Sequence, residues 1–315
     1  MSNAVATFAP AHFTAARRRE SALGRRLLIG SALAVVGIFI AAPVILIFYL
    51  ALQNGIGAYW HNLINNSATL HSIKLTLIVT PIAVVLNTFF GIAAAWLIAR
   101  FRFKGRTLLT ALIDLPFSIS PVVVGLMLML IFGRLGYLGP WLQKMDIHVV
   151  FALPGIIMAT TFVTLPFVAR ELIPVMEALG NEEETAAISL GANAWQMFWR
   201  VTLPGIKWGL LYGLILCNAR AMGEFGAVYV VSGRIENQTT TMPLQVQKLM
   251  EQGYDSDAFA LASLLTLLAL VTLGLKVWLE RKTRRQLMTA AASGIVDSNS
   301  ETQTTVTRNR ELEIR

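Results

Sequence analysis

The segment NEEETAAISLGANAWQMFWRVTLPG, residues 181–205, has a pattern that its apolar surroundings lack. Asn181 can cap a helix whose first turn carries three glutamates, and carboxylates are stabilised at the positive end of a helix dipole. Gly191 suits the end of this helix, and a second amphipathic helix follows until Pro204 prevents its continuation. The pattern predicts two short helices that protrude as a knob, defined here as residues 181–204. The alternative is an amphipathic helix lying on lipid.

The chain around the knob has the composition of a polytopic membrane protein. Hydrophobic residues make up 55% and charged residues 14% of its 315 residues, with a mean hydropathy of +0.61. These values differ from those of ordinary soluble domains. The formal charge of +8 comes from short basic runs between apolar segments, not from one solvated face, which argues against nucleic-acid binding. Cys217 is the only cysteine, so it cannot form an intrachain disulfide and is expected to pack as a small apolar residue.

Six apolar runs are long enough to cross a hydrocarbon core, which needs about 20 helical residues. All six are predicted to be helices, because lipid offers no partner to an unpaired backbone group. The predicted fold class is therefore all-α, with six transmembrane helices. The first run exceeds the core of a cleaved signal, about 7 to 15 residues, and is interpreted as a retained span. The runs cover residues 27–52, 75–99, 107–133, 149–169, 208–231 and 258–279.

Lysine and arginine concentrate at both chain ends and in the loop at residues 100–106. The loop at 53–73 has neither residue, and those at 134–148 and 232–257 have two each. By the positive-inside rule, both termini and the knob are predicted to be cytoplasmic. The predicted membrane domain covers residues 25–285. Two cytoplasmic tails flank it, 1–24 and 286–315, and the second is expected to be disordered because it lacks apolar periodicity.

Charged residues interrupt two of the predicted spans: Asp114 the third, Arg220 and Glu224 the fifth. A charge at the centre of a membrane helix costs about 2.5 to 3.5 kcal/mol, so it usually has a partner and faces protein or a water-filled path. On one continuous helix Arg220 and Glu224 share a face and can pair. Gly223 and Gly226 would let another helix approach. The pair either fixes helix packing only or lets Arg220 meet an anion on a transport path.

Prolines within the spans predict kinks that neighbouring helices support. A helix broken at a transport site is the alternative interpretation. For DLPFSISP, residues 114–121, which contain an acid and two prolines, both interpretations stay open.

The knob resembles the EAA loop of ATP-binding-cassette import permeases. That pattern is Glu-Ala-Ala, three residues, Gly, nine residues, an aliphatic residue, one residue, then Leu-Pro. Thr185 stands where the family usually has Glu, and Glu184 lies one residue earlier. By this resemblance, Glu184 and Thr185 belong to the loop that couples the permease to its ATPase. The matching positions are Ala186, Ala187, Gly191, Val201, Leu203 and Pro204.

A narrower resemblance covers residues 25–285. The stretches 114–126, 162–177, 191–213 and 220–233 together resemble sulfate and thiosulfate permease subunits of the CysW type. Molybdate and tungstate permeases share the arginine and the GEFGA theme, and they remain the alternative.

The resemblance implies a type I importer permease fold in the bacterial inner membrane. It implies three partners: a cytoplasmic ATPase dimer that receives the knob, a second homologous permease subunit, and an extracytoplasmic sulfate-binding protein. The sequence contains no G-x-x-x-x-G-K-S/T phosphate loop. We therefore expect a transport subunit that is not itself an enzyme and binds no cofactor or metal, with ATP used by the partner ATPase.

An ion-coupled carrier is a different class with the same composition. Asp114, Arg220 and Glu224 would then line an ion path. The knob argues against this class. A membrane-embedded enzyme is weaker still, since the four histidines form no close ligand pair and no H-E-x-x-H or G-x-S-x-G pattern occurs.

Overall fold

The computed structural model describes residues 22–281, and every regular element in that range is helical. The described part divides at residues 46 and 47 into two compact units, each considered by itself. The predicted tails lie outside the described residues, except for residues 22–24. The elements are α1 (Ala22–Val36), α2 (Ala42–Leu52), α3 (Gly55–Ile64), α4 (Ser67–Arg100), α5 (Arg106–Ser118), α6 (Pro121–Phe132), α7 (Gly139–Lys144), α8 (Leu153–Leu179), α9 (Glu182–Ser189), α10 (Ala194–Met197), α11 (Leu203–Met222), α12 (Gly226–Ser232), α13 (Met242–Glu251) and α14 (Asp255–Arg281).

Five continuous helical stretches are long and apolar enough to cross a membrane, and α5 with α6 makes a sixth if that bent pair counts as one span. The all-α prediction is confirmed. Two predicted spans were too short. Asn66 caps α4 at Ser67, since its side-chain oxygen accepts from the N–H groups of Ala68 and Thr69. In the same way α8 continues beyond residue 169 to Leu179, because helices extend past the uncharged part of a span.

The third predicted span, 107–133, is broken into α5 and α6, which are bent by 110°. Pro121 is the first residue of α6, and both Ile119 and Ser120 have extended ψ values, 136° and 134°. The residue before a proline avoids the helical region because the proline ring clashes with it. Of the two interpretations left open for residues 114–121, the broken helix is the one observed.

The fifth predicted span, 208–231, is wrong as a single helix. α11 ends at Met222, residues 223–225 are not helical, and α12 packs against α6 and α8. The Glu224 carboxylate accepts from the Ala227 N–H at 3.0 Å, so it satisfies a free amide in the first turn of α12. Arg220 and Glu224 therefore do not share one helix.

Pro204 does not end the second short helix of the knob, contrary to the prediction. The chain is helical from Ala194 to Met222, through a π-helical turn at Phe198–Thr202. The Leu203 N–H donates to the Phe198 carbonyl, five residues back. A proline cannot make the regular bond four residues back and its ring clashes with that carbonyl, and a π-turn widens the helix at this point. The π-turn Gly37–Ala41 precedes Pro43 at the same offset.

The long helix α8 is central to the unit of residues 47–281, since it contributes to three of its four hydrophobic clusters. It packs against α4, α11 and α12. α4 and α8 approach so closely at Gly91 that an added Cβ would lie 2.6 Å from Val168 Cγ1. Cys217 is fully buried in the hydrophobic cluster that contains Val168, in agreement with its predicted packing. Asn87 donates to its Sγ at 3.5 Å.

Candidate functional site

The first helix of the knob, α9, begins at Glu182 as the sequence predicted. Glu182, Glu183 and Glu184 occupy its first turn. Asn181 stands at the cap position, but its side chain makes no capping bond. Its carbonyl instead accepts from Thr185, from the N–H at 2.9 Å and from Oγ1 at 2.8 Å. The Thr185 side chain is therefore directed back along its own helix.

Gly191 ends α9 in the left-handed region, with φ at +87°. The Gly191 N–H donates to the Ile188 carbonyl and the Ala192 N–H to the Ala187 carbonyl, at 2.9 and 3.0 Å. These two bonds form a Schellman motif, which needs a residue that adopts positive φ without strain. The predicted role of this glycine as the turn between the two helices agrees with this geometry.

The second helix of the knob starts at once through a capping box. Asn193 Oδ1 accepts from the Gln196 N–H at 2.8 Å, and Gln196 Oε1 accepts from the Asn193 N–H at 3.1 Å. The sequence prediction missed this pair, although Asn followed three residues later by Gln is a recognised start signal. Together, the Schellman motif and the capping box define the angle between the two helices.

Glu184 is turned inward, away from the exposed face of the knob. Arg100, the last residue of α4, donates from Nη2 to Glu184 Oε1 at 3.1 Å, and Arg100 Nε lies 3.1 Å from Oε2. Thr202, in the π-turn, donates from Oγ1 to Glu184 Oε1 at 2.8 Å. Only 8% of the Arg100 side chain and 11% of the Glu184 side chain are exposed. The sequence prediction missed the roles of Arg100 and Thr202. Arg100 was counted only among the basic residues that indicate membrane orientation.

The outer surface of the knob exposes large apolar and aromatic side chains besides its polar and charged ones. Exposed side chains there include Leu190 at the turn and Trp195 and Trp199 on the second helix. The two tryptophan rings pack edge to face, with centroids 5.5 Å apart. A surface of this kind is typical of a protein or membrane interaction site.

The second charged site lies at the break between α11 and α12. Arg220 Nη1 donates to Glu224 Oε2 at 2.6 Å, so the predicted pairing is observed although the predicted single helix is not. The Glu224 side chain is 1% exposed, and its other oxygen accepts from Ala227. The Arg220 side chain is 34% exposed. Glu224 therefore holds Arg220 at a point where part of the arginine side chain remains accessible.

The break at Glu224 lies against the break between α5 and α6. A Cβ added to Gly226 would be 3.0 Å from Pro121 Cβ and 3.4 Å from the Val122 backbone nitrogen. The expected close approach of another helix is therefore seen at Gly226. At Gly223 the nearest atoms to an added Cβ belong to the last turns of α11 itself, and no other helix among residues 22–281 comes within 4 Å.

Asp114 has a different partner from the other two intramembrane charges. Its Oδ1 lies 3.2 Å from Nε of Arg170 on α8, and the Arg170 guanidinium lies over the Phe117 ring, 5.2 Å from its centroid. The prediction missed Arg170 because it fell just beyond the estimated end of a span. Within residues 22–281, no three His, Cys, Asp or Glu side chains gather as a metal site.

Residues 87–285 match the family described as the binding-protein-dependent transport system inner membrane component. The chain belongs to this family of transport permeases, which decides against the ion-coupled carrier and the membrane enzyme. The family and the importer fold predicted from the knob are confirmed.

Within this family, the chain is similar to sulfate transport permeases. The sulfate transport system permease protein CysW of a Synechocystis strain is 50% identical to this chain over 82% of the chain and 93% of that protein. CysW of Escherichia coli K12 is 48% identical over 84% of the chain and 90% of that protein. The permease protein CysT of the same bacterium is 38% identical over 79% and 90%.

Solved structures show the same fold. A bacterial ABC transporter involved in the import of the acidic polysaccharide alginate matches 84% of this chain and 97% of its own, with a TM-score of 0.63 and 20% identity. The alginate transporter in complex with a pentasaccharide-bound periplasmic protein matches 83% and 94%, with a TM-score of 0.66 and 19% identity.

Proposed function

We propose that this chain forms one half of a heterodimeric pore that imports sulfate and thiosulfate across the bacterial inner membrane. The observation that carries the proposal is the identity of about half of the residues, over more than four fifths of the chain, to sulfate permeases of the CysW type. Identity to the CysT type is lower, at 38%. A CysT-like chain is accordingly the homologous second subunit.

ATP is the energy source, and a separate cytoplasmic ATPase dimer hydrolyses it. This chain has no phosphate loop, catalyses no bond-breaking step and binds no cofactor. The exposed Leu190, Trp195 and Trp199 of the knob provide an apolar surface that fits a groove on the ATPase. Both termini and the knob lie in the cytoplasm, and a binding protein delivers the anion on the opposite side.

Transport follows from alternation between two states of the pore. Closure of the ATPase dimer on ATP moves the two knobs, and the permeases then change between inward-open and outward-open states. The shape of the knob matters here because movement is transmitted only by a stiff contact.

Arg220 meets the anion on its path through the membrane. Its planar guanidinium has five N–H donors, of which Glu224 engages one at 2.6 Å. A third of the side chain is exposed at the break between two half-helices. The remaining donors suit the oxygens of a divalent oxyanion, while the buried Glu224 fixes the arginine in place.

Uptake by the complete complex tests this function. The chain is reconstituted in vesicles with its ATPase, second permease subunit and binding protein, and uptake of radiolabelled sulfate is measured with and without ATP. We expect ATP-dependent sulfate uptake that thiosulfate inhibits by competition. Molybdate or tungstate uptake in place of sulfate would assign the alternative substrate. Uptake driven by a proton gradient without ATP would contradict the proposal.

A further inference from the structure

The buried contact between the knob and the helices beneath it includes hydrogen bonds in addition to the Arg100–Glu184 ion pair. Besides its two contacts with Glu184, Arg100 donates from Nη1 to the Met176 carbonyl at 2.8 Å. Met176 lies in the last turn of α8, where carbonyl groups have no partner within the helix. One guanidinium therefore joins the ends of α4 and α8 to the first turn of α9.

Thr202 connects a fourth segment, the π-turn Phe198–Thr202, to this buried contact. Its hydroxyl donates to the same Glu184 oxygen that Arg100 Nη2 contacts, and Thr202 is 4% exposed. The π-turn that contains Thr202 leads directly into α11. The cavity beside these residues has a volume of about 10 Å³, which is about the space of one water molecule.

From these contacts we infer that Arg100, Glu184 and Thr202 form a rigid joint that transmits movement of the knob to α4, α8 and α11. The inference rests on the proposed function, in which the ATPase moves the knob. Arg100, Glu184 and Thr202 are positioning residues, since all three lie inside the permease and act through the knob. Glu184 is thereby assigned to the inner side of the knob, and the exposed Glu182 and Glu183 are the acids left on its outer side.

A second ion pair near the joint provides a matched control. Nη2 of Arg106, at the start of α5, lies 2.5 Å from Oε1 of Glu177 near the end of α8. This pair also joins two helix ends. The Arg106 and Glu177 side chains are 40% and 46% exposed. Exposed ion pairs contribute little to stability because solvent screens them. The two pairs combine the same residue types and differ in burial.

The joint is tested by the number of sulfate ions imported per ATP hydrolysed in the reconstituted complex. Thr202→Val removes the hydroxyl with almost no change in shape, and Thr202→Ser keeps it. We expect Thr202→Val to lower sulfate per ATP about fivefold or more, because Glu184 loses a charge-assisted hydrogen bond. Thr202→Ser and the exposed double variant Arg106→Met with Glu177→Gln should stay within about a factor of two of wild type.

The outcomes separate the joint from the proposed function. If the wild-type complex shows no ATP-driven sulfate uptake, the proposed function fails. If the wild type transports and Thr202→Val retains the wild-type ratio, the contacts serve folding only and the joint is overturned, even when less complex assembles. Glu184→Gln, which removes the charge and keeps the shape, serves as the second variant. Failure of both variants to assemble would equally assign the contacts to folding.

Discussion

Two arginine–glutamate pairs in this permease have the same chemistry and different surroundings. Arg100 and Glu184 are 84 residues apart in sequence and almost fully buried, with further hydrogen bonds to Met176 of α8 and Thr202 of the π-turn. Arg220 and Glu224 are four residues apart, and only the glutamate is buried. In the first pair the arginine also donates to a backbone carbonyl, whereas in the second a third of the arginine side chain is exposed.

Under the two proposals above, the first pair transmits movement of the knob and the second pair binds the anion. A buried charge whose donors are used adds rigidity, since breaking it leaves an uncompensated charge. An arginine fixed at one side by a buried carboxylate keeps donors for an oxyanion. The expected consequences of mutation differ accordingly.

The largest effect is expected when one member of the buried pair is removed. Arg100→Met leaves the Glu184 carboxylate buried without its partner, which costs about 3 to 5 kcal/mol. The double variant with Glu184→Gln removes that charge as well and should recover part of the loss. Thermal unfolding of the purified complex measures both. Equal melting temperatures for the single and double variants would contradict a coupled pair.

The intramembrane pair is expected to respond in the opposite way. Arg220→Met with Glu224→Gln leaves no unpaired charge, so the complex should assemble and bind the ATPase. If Arg220 contacts the anion, sulfate uptake falls about tenfold or more, as expected for loss of a charge-assisted contact. Uptake and ATPase copurification are measured on the same preparation. Normal uptake would show that the pair only fixes packing.

Substitution of Gly191 tests the role of the knob and leaves both ion pairs unchanged. Gly191→Asp places a side chain at φ +87° and adds charge to the exposed surface of the knob, so uptake should fall severalfold while the spans stay folded. The left-handed conformation costs most residues about 1 to 2 kcal/mol, and aspartate and asparagine tolerate it better than the others. Gly191→Asn is the matched control, because asparagine tolerates positive φ and is neutral. ATP-driven uptake of the aspartate variant at the wild-type rate would contradict the assigned role.

The smallest effect is expected for Thr185→Glu, which introduces the usual family residue. Thr185 is exposed, and among residues 22–281 its side chain donates only to the Asn181 carbonyl. An additional acid in the first turn of α9 interacts favourably with the helix dipole, by about 0.3 to 1 kcal/mol. Uptake within about a factor of two of wild type is expected. A strong loss would show that the threonine hydroxyl itself is needed.

The sequence by itself determined the features that depend on composition and local backbone preference. Apolar runs must be helices in lipid, and the glutamates after Asn181 and the glycine at 191 define the first knob helix by local bonds alone. The four-residue spacing of Arg220 and Glu224 also brought them together, although the predicted reason, one continuous helix, was wrong.

Only the tertiary structure decided where helices break and which distant charges meet. The broken span at Pro121 and the continuous one at Pro204 could not be distinguished by the prolines alone, since Gly226 lies against α6 in one case and a π-turn accommodates the ring in the other. Arg100 meets Glu184 because α4 and α8 cross at Gly91 and end side by side near the knob. A contact between residues far apart in sequence follows from packing of whole helices, and local preferences carry no information about it.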